Sequence, residues 1–364
     1  MQIPFLDLRV SDAERLELLS AIDQVFCHGR FILGPEVAEL ESKVANMCCR
    51  KYAVGVGSGT EALFLGLKSL GVGPGDEVIT TSLSWIATAN AIALTGATPV
   101  FADINDDLNI DPESVERLVT ERTRVILPVH FTGKVCRMDE LMQIASKYGL
   151  LVVEDASQAF GARYKGKPAG SFGQLACFSM NPMKVFAACG EAGMILTDDE
   201  EILDRLTALR YNGMVDKELC IKPSMNGRID TVQAAILLKR LDHVSSIINK
   251  RRLIAKQYDD LLAGIVETPK HQNHELPCSY TYTIRSKYRD ELKEFLATNG
   301  IETQIQHKYL MPQQTPYKNA TAEFENAKSI IQTVLCLPAH EKISFKDIEY
   351  VASSIKKFHT NKLG

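Results

Sequence analysis

The stretch KYAVGVGSGTEALFLGLKSLG, residues 51–71, decides the reading of the fold. It contains a short apolar strand, a turn of glycine and serine, and a helix with an apolar face. DEVITTSLSWIATANAIALTG (76–96) repeats the form, with a strand, the loop TSLSW and a helix. TPVFADI (98–104), RVILPVHF (124–131) and LLVVEDAS (150–157) add strands, and Asp111-Pro112 and MDELMQIASKYG (138–149) add helices between them. Strands that are apolar throughout and alternate with helices build a mostly parallel sheet covered on both faces. Ahead of this core, residues 11–28 carry a helical pattern, and GRFILGPEVAELESKVANM (29–47) gives a turn at Gly34-Pro35 and an amphipathic helix. QLACFSM (174–180) and MILTDD (194–199) read as two further strands. After Asp230 the character changes. Residues 231–264 form one long helical pattern, followed by strand-like CSYTYTIR (278–285) and IETQIQH (301–307) and helical YRDELKEFLATNG (288–300) and DIEYVASSIKKF (347–358). The expected architecture is α/β, with a large domain over residues 1–240 and a small C-terminal α/β domain over 241–364, joined through the long helix.

Composition narrows the function classes. A net charge of -4 argues against nucleic acid or an anionic membrane as partner, and no apolar run is long enough to span a bilayer. The N-terminus lacks the basic start and apolar stretch of a signal peptide. The nine cysteines form no CxxC pair and no cluster with zinc-ligand spacing, so no metal site is expected and they read as reduced, buried thiols of a cytoplasmic protein.

Ligands of such sheets collect at the carboxyl ends of the strands. Four features lie there. Gly57-Ser58-Gly59-Thr60 opens a helix, where free N–H groups favour an anion such as phosphate, although a short glycine turn is often only a turn. Trp85, the one tryptophan, follows a strand and either fills a hole or stacks on a flat ring. Asp155 ends a buried strand, where a carboxylate needs a cation, a donor or magnesium, or else caps a following helix; Gln158 stands three residues on. Ser179 ends QLACFSM, and Lys184 follows in a turn between two apolar runs, a costly place for an ammonium unless an amine is needed. A phosphate cradle, an aromatic plate, an acid for a ring nitrogen and a lysine amine are together what pyridoxal phosphate requires.

The ordered set FLDL (5–8), GRFILGPEVAELE (29–41), GSGTEAL (57–63), GVGPGDEVITTSLSWIATANAI (71–92), VEDASQAFGA (153–162), FSMNPMK (178–184), NGRIDTVQAA (226–235) and LPAH (337–340) resembles the DegT/DnrJ/EryC1/StrS family of sugar aminotransferases. The resemblance implies the fold type I architecture of pyridoxal phosphate enzymes. It implies that Lys184 holds the cofactor covalently and shuttles the proton, that Asp155 pairs with the pyridine nitrogen, and that Gln158 lies near the phenolic oxygen. Gly59, Thr60 and Ser179 are similar to phosphate ligands, and Trp85 to the residue stacked on the ring. Asn226 matches an asparagine lent across a homodimer interface to the neighbour's phosphate. The sequence departs from the family at Gly190-Glu191-Ala192-Gly193, where two glycines commonly follow the acid. It departs again in QIQHKYLMPQQTPY (304–317), where Pro312 stands in place of a frequent histidine. His307 and Tyr309 are candidate substrate contacts there. His130 and His340 have structural hydrogen bonding as their default reading.

The expected activity is transfer of an amino group, from L-glutamate, to a nucleotide-linked keto sugar, with pyridoxal 5'-phosphate and pyridoxamine 5'-phosphate alternating. The products would serve a surface polysaccharide, a glycan or a glycosylated metabolite. Three rivals stand beside it. The acceptor could be a smaller phosphorylated ketone, the protein could be a cofactor-binding regulator without turnover, or it could be a magnesium-dependent nucleotide enzyme. The last is poor, because neither a Walker lysine motif nor a dinucleotide glycine fingerprint is present.

Overall fold

Seven strands build the central sheet of the computed structural model, which describes residues 2–216, 218–318 and 323–363. They are β1 (Tyr52–Val56), β2 (Glu77–Thr81), β3 (Thr98–Ala102), β4 (Thr123–Leu127), β5 (Leu151–Asp155), β6 (Leu175–Ser179) and β7 (Gly193–Thr197). Their order is β1-β7-β6-β5-β4-β2-β3. Neighbours from β6 to β3 are parallel, whereas β7 runs antiparallel to both β1 and β6. The expected mostly parallel sheet is therefore present, with one reversed strand that the apolar run MILTDD did not disclose.

The helices before the second core are α1 (Asp12–His28), α2 (Pro35–Met47), α3 (Gly59–Ser69), α4 (Ala87–Leu94), α5 (Pro112–Arg117), α6 (Met138–Tyr148), α7 (Glu200–Leu209) and α8 (Thr231–Leu262). Alternation along each strand splits the sheet's side chains between two cores. Ile79, Ile126, Val152 and Leu196 pack with α2, α6 and α8 through Leu40, Leu141 and Leu237. Their sequence neighbours Val78, Val125, Val153 and Ile195 face α3, α4 and α7 through Leu63, Ile92 and Leu206. Asp111 caps α5 by accepting from the N–H groups of Glu113 and Ser114, with Pro112 where no donor is needed.

Beyond residue 262 the chain forms β8 (Tyr282–Arg285), α9 (Arg289–Thr298), α10 (Glu325–Ile330), β9 (Val334–Leu337) and α11 (Phe345–Leu363). β8 and β9 pair antiparallel. Tyr258 of α8 stacks on Tyr282 at 4.9 Å between ring centroids, inside a third core with Leu292, Leu335 and Ile355. IETQIQH is not a strand. It touches β structure only at single bridges, Ile301 with Ile3 and Gln304 with Cys336. The partner of β8 is instead VLCL, an apolar run too short to declare itself. A fourth core, with Leu83, Phe101, Phe131, Leu310, Met311 and Phe324, joins the two bodies.

His130 is buried, with Nε2 3.0 Å from Glu154 Oε2 and Nδ1 accepting from the Cys136 N–H. Glu154 also accepts from the N–H groups of Gly170, Phe172 and Gly173 at 2.7–3.0 Å. His340 is buried as well, and neither ring nitrogen finds a partner among the described residues. All nine cysteines are free, but Cys27, Cys49, Cys189 and Cys220 are exposed, contrary to the expected burial. Among the described residues no helix is long and apolar enough to cross a membrane.

Burial opposes the charge of Glu154, but the hydrogen bond and charge of His130 and the backbone N–H groups outweigh it and hold the carboxyl below its ordinary 4.5. Its stabilisation is complete above that value and is lost as pH falls through the lower folded value. Glu154→Ala, which strands three buried N–H groups, is expected to cost about 3–5 kcal/mol near neutral pH. Urea titrations should show a lower midpoint at unchanged slope, with the gap to the native sequence closing in acid.

Candidate active site

One cleft of 650 Å³ opens at the carboxyl end of the parallel strands. It is lined by Gly59, Thr60, Trp85, Asp155, Gln158, Ser179, Lys184 and His307, which come from five separate stretches of sequence. Asn226 and Tyr309 do not line it. Asn226 is exposed, with Oδ1 accepting from Arg228 Nε at 2.8 Å. Tyr309 is 55% exposed, with Lys308 Nζ over its ring at 5.6 Å.

At one end of the cleft lies the N-terminus of α3. Ser58 Oγ accepts from Glu61 N–H at 3.1 Å, and the Ser58 carbonyl accepts from Ala62 N–H. The N–H groups of Gly59 and Thr60 are left without a protein acceptor, as the first turn of a helix requires. Gly59 sits against Ser179 so closely that a Cβ there would stand 2.5 Å from the Ser179 Cβ. A Cβ at Gly193 would collide with the Ser58 carbonyl. Two glycines thus let a helix start, a strand end and the Ser179 hydroxyl meet around one concave spot with the polarity an anion needs.

Asp155 forms the floor and is 3% exposed. Thr88 Oγ1 donates to Oδ2 at 2.9 Å and Ser157 N–H to Oδ1 at 3.2 Å. No helix begins after it, so the capping reading of this acid is not realised. Gln158 Oε1 accepts from Thr132 N–H at 2.9 Å, which leaves its amide N–H groups free to donate into the cleft.

Lys184 lies in the connection between antiparallel β6 and β7, which needs no crossover helix and loops over the strand ends. The N–H of Lys184 bonds the Asn181 carbonyl, and its Nζ stands 4.8 Å from the centroid of the Tyr280 ring. Among the described residues no carboxylate lies within salt-bridge distance of it. Its half-buried ammonium therefore faces the cleft beside an aromatic ring and without an anion. Trp85, 62% exposed, stands at the mouth, its ring centroid 5.7 Å from that of His307.

Several lining residues escaped the sequence reading. Thr88 sits one helical turn beyond Trp85, and that i,i+3 spacing was the available signal. Tyr280, Gln304 and Gln306 come from the second body, and nothing local marks them. Glu191, in the departing glycine segment, accepts from Asn181 Nδ2 at 2.7 Å at the cleft edge.

The donor set fits pyridoxal phosphate. It offers an anion cradle with two free N–H groups and a hydroxyl, a buried carboxylate with unfilled acceptor capacity, an unpaired primary amine and an aromatic plate. Residues 12–356 match the DegT/DnrJ/EryC1/StrS aminotransferase family. A "Pleiotropic regulatory protein" of Geobacillus stearothermophilus is 37% identical over 99% of both chains. The dTDP-3-amino-3,4,6-trideoxy-alpha-D-glucose transaminase of Streptomyces venezuelae is 39% identical, over 93% of this chain and 91% of its own. The S. venezuelae protein DesV, solved in complex with a ketimine intermediate, superposes with a TM-score of 0.95 at 37% identity over 98% of each chain. A putative sugar aminotransferase of Streptococcus pneumoniae, solved in its PMP, PLP and apo forms, superposes over 99–100% of this chain at 27% identity. Coverage from end to end, by sequence and by fold, shows that the chain belongs to the DegT/DnrJ/EryC1/StrS family and is a pyridoxal phosphate-dependent aminotransferase.

Proposed function

We propose that this chain moves the amino group of L-glutamate to a keto sugar carried on a nucleotide, donor and acceptor using the one cleft in turn. The observation that carries the reading is the unpaired amine of Lys184 between an anion cradle and a buried acid. Relatives support the acceptor class. Besides the S. venezuelae enzyme, the UDP-2-acetamido-2-deoxy-3-oxo-D-glucuronate aminotransferase of Pseudomonas aeruginosa is 35% identical over 97% of this chain.

When bound, pyridoxal phosphate supplies a carbonyl for the donor's amine and an electron sink that makes the adjacent hydrogen acidic. The protein's part follows from its own atoms. Gly59 and Thr60 N–H groups and Ser179 Oγ would hold the phosphate. The Asp155 carboxylate, oriented by Thr88 and Ser157, keeps a proton on the ring nitrogen. Gln158, with its amide N–H groups free, would donate to the cofactor's phenolic oxygen, and Trp85 would be the aromatic surface against its ring. Lys184 Nζ would be the amine that holds the cofactor and the base positioned to take a proton from the reacting carbon and return it.

Asn226 completes the cradle from a second copy of the chain. It is exposed, its Oδ1 is fixed by Arg228, and its Nδ2 is left to donate. Large apolar residues stand exposed on the neighbouring segments: Phe26 and Phe31, 5.8 Å apart, and Ile32, Leu219 and Ile221. Ile32 bridges Asp230, four residues from Asn226. Such a face calls for a cover, and a homodimer supplies it. We place the enzyme in the cytoplasm, as free exposed thiols and a nucleotide-linked substrate favour. The division into domains 1–240 and 241–364 belongs to the same proposal. The third core supports it, with Ile3 the one earlier residue it holds among the described residues.

Lys184→Ala should bind the cofactor without the native visible band and lose at least about 10³-fold in turnover. In the native protein L-glutamate should bleach that band, and a nucleotide-linked keto sugar should restore it. A band that glutamate leaves untouched would favour the non-catalytic regulator. Gly59→Ala forces its Cβ onto Ser179, so a fluorescence titration should show cofactor affinity weaker by roughly tenfold to a hundredfold. Mixing Asn226→Ala with Lys184→Ala chains should give more activity than either alone, because each hybrid dimer holds one site with both native residues. Absence of recovery in hybrids shown to form would remove the shared site.

A further inference from the structure

The ring of His307 lines the cleft, and no cofactor role absorbs it. Its Nε2 is buried and has no hydrogen-bond partner among the described residues, although the side chain lines the cleft. A buried polar nitrogen is costly to leave unpaired, which points to a partner that arrives with a ligand. The ring is firmly placed. Three residues before it, Gln304 exchanges two backbone hydrogen bonds with Cys336 of β9, at 2.8 and 3.1 Å. Three and four residues after it, Leu310 and Met311 are fully buried in the core that joins the two bodies, and Met311 N–H bonds the Ser82 carbonyl at 2.9 Å. Between these anchors the ring lies 5.7 Å from Trp85 and 6.0 Å from Phe131, centroid to centroid.

We propose that His307 is the specificity-determining residue for the acceptor, its neutral imidazole hydrogen-bonding through Nε2 to one hydroxyl of the sugar ring. The inference rests on the nucleotide-linked keto sugar as acceptor and deepens that reading. Burial, and then the charge of Lys184, push the imidazole down to about 4, so it remains uncharged at neutral pH. An uncharged imidazole donates from one nitrogen and accepts at the other, which suits a hydroxyl and not a phosphate. The adjoining lining is of the same kind. Gln304, Ile305 and Gln306 bring amides and an apolar side chain but no charge. The charged lining groups are Asp155 and Lys184, both committed to the cofactor, and Glu191, tied to Asn181. A small phosphorylated ketone would want a cation on this wall. A polyol ring, with its C–H face toward Trp85 and its hydroxyls toward amides and an imidazole, finds what it needs.

The test uses the full-length holoenzyme and follows the two half-reactions separately, with a nucleotide-linked keto sugar and analogues lacking one ring hydroxyl each. His307→Phe should lower kcat/KM of the acceptor step by about 10- to 100-fold beyond any change in the donor step. For one deoxy analogue the native enzyme and His307→Phe should perform alike, because the hydrogen bond is absent from both. His307→Gln, which keeps a donor and an acceptor, should recover most of the loss. A uniform fall across every acceptor and the donor step would show a merely structural ring and overturn the assignment. An acceptor step unchanged in His307→Phe would overturn it too, while leaving the sugar reading intact. A native enzyme that accepts glutamate's amine but delivers it to no nucleotide-linked sugar would remove both.

Discussion

The structure turns on the close approach of the start of α3 to the end of β6. Gly59 touches Ser179 with no room for a methyl group, and Ser58 lies over Gly193 at the start of β7. This contact exists because β7 is inserted antiparallel between β1 and β6. The helix that leaves β1 must pass over β7 to reach β6, and it can do so only where two residues lack side chains. The same reversal of β7 frees the connection that carries Lys184 from having to be a crossover helix. One topological decision thus places both the anion cradle and the amine at one end of the sheet.

Charge within the sheet follows the alternation of β5. Glu154 and Asp155 are consecutive carboxylic acids of similar intrinsic acidity, and the strand sends them to different fates. Glu154 is fully enclosed and saturated, by three backbone N–H groups and His130, with Arg50 3.6 Å away. Its desolvation is offset within the chain, so nothing is left for a ligand. Asp155 leaves the strand at its carboxyl edge with one hydroxyl and one backbone N–H as partners, and its remaining acceptor capacity faces the cleft. Lys184 is the counterpart, a cation with an aromatic neighbour and no anion. The two unfinished charges line the same cleft, and the cofactor roles proposed for Asp155 and Lys184 rest on that pairing.

Much of this was legible in the sequence because it is local. Apolar strands alternating with helices, a glycine turn opening α3, and polar residues at or just beyond strand ends each lie within one stretch of chain, and seven of the eight predicted residues that line the cleft, all but His307, come from such stretches. What could not be read depends on pairing at a distance. The run VLCL looked like any short apolar segment until β8 lay beside it. IETQIQH alternates like a strand, yet only Ile301 and Gln304 find bridge partners, because Leu310 and Met311 pull the following chain into the joining core. Tyr280 and Thr88 acquire their roles from Lys184 and Asp155, which are far from them in sequence. Exposed Cys27 and Cys220 defeat a rule about composition, since surface position is not a property of the residue alone.

The cleft divides its labour between the two bodies. Of the groups proposed to hold the cofactor, Asp155 and Ser179 end strands, where a shift of one residue would turn a side chain to the other face, and Gly59 beside them tolerates no enlargement. The wall proposed to meet the acceptor is a short irregular segment fixed at Gln304 and again at Leu310 and Met311. Between those anchors Ile305 to Tyr309 make no ladder, and their side chains are only partly buried or exposed. Substitutions there alter what the cleft recognises while sparing the sheet, the cradle and the amine. Within the departing segment 304–317, residues 305–309 are therefore the ones whose change costs the fold least, and they lie apart from Lys184 and the cradle.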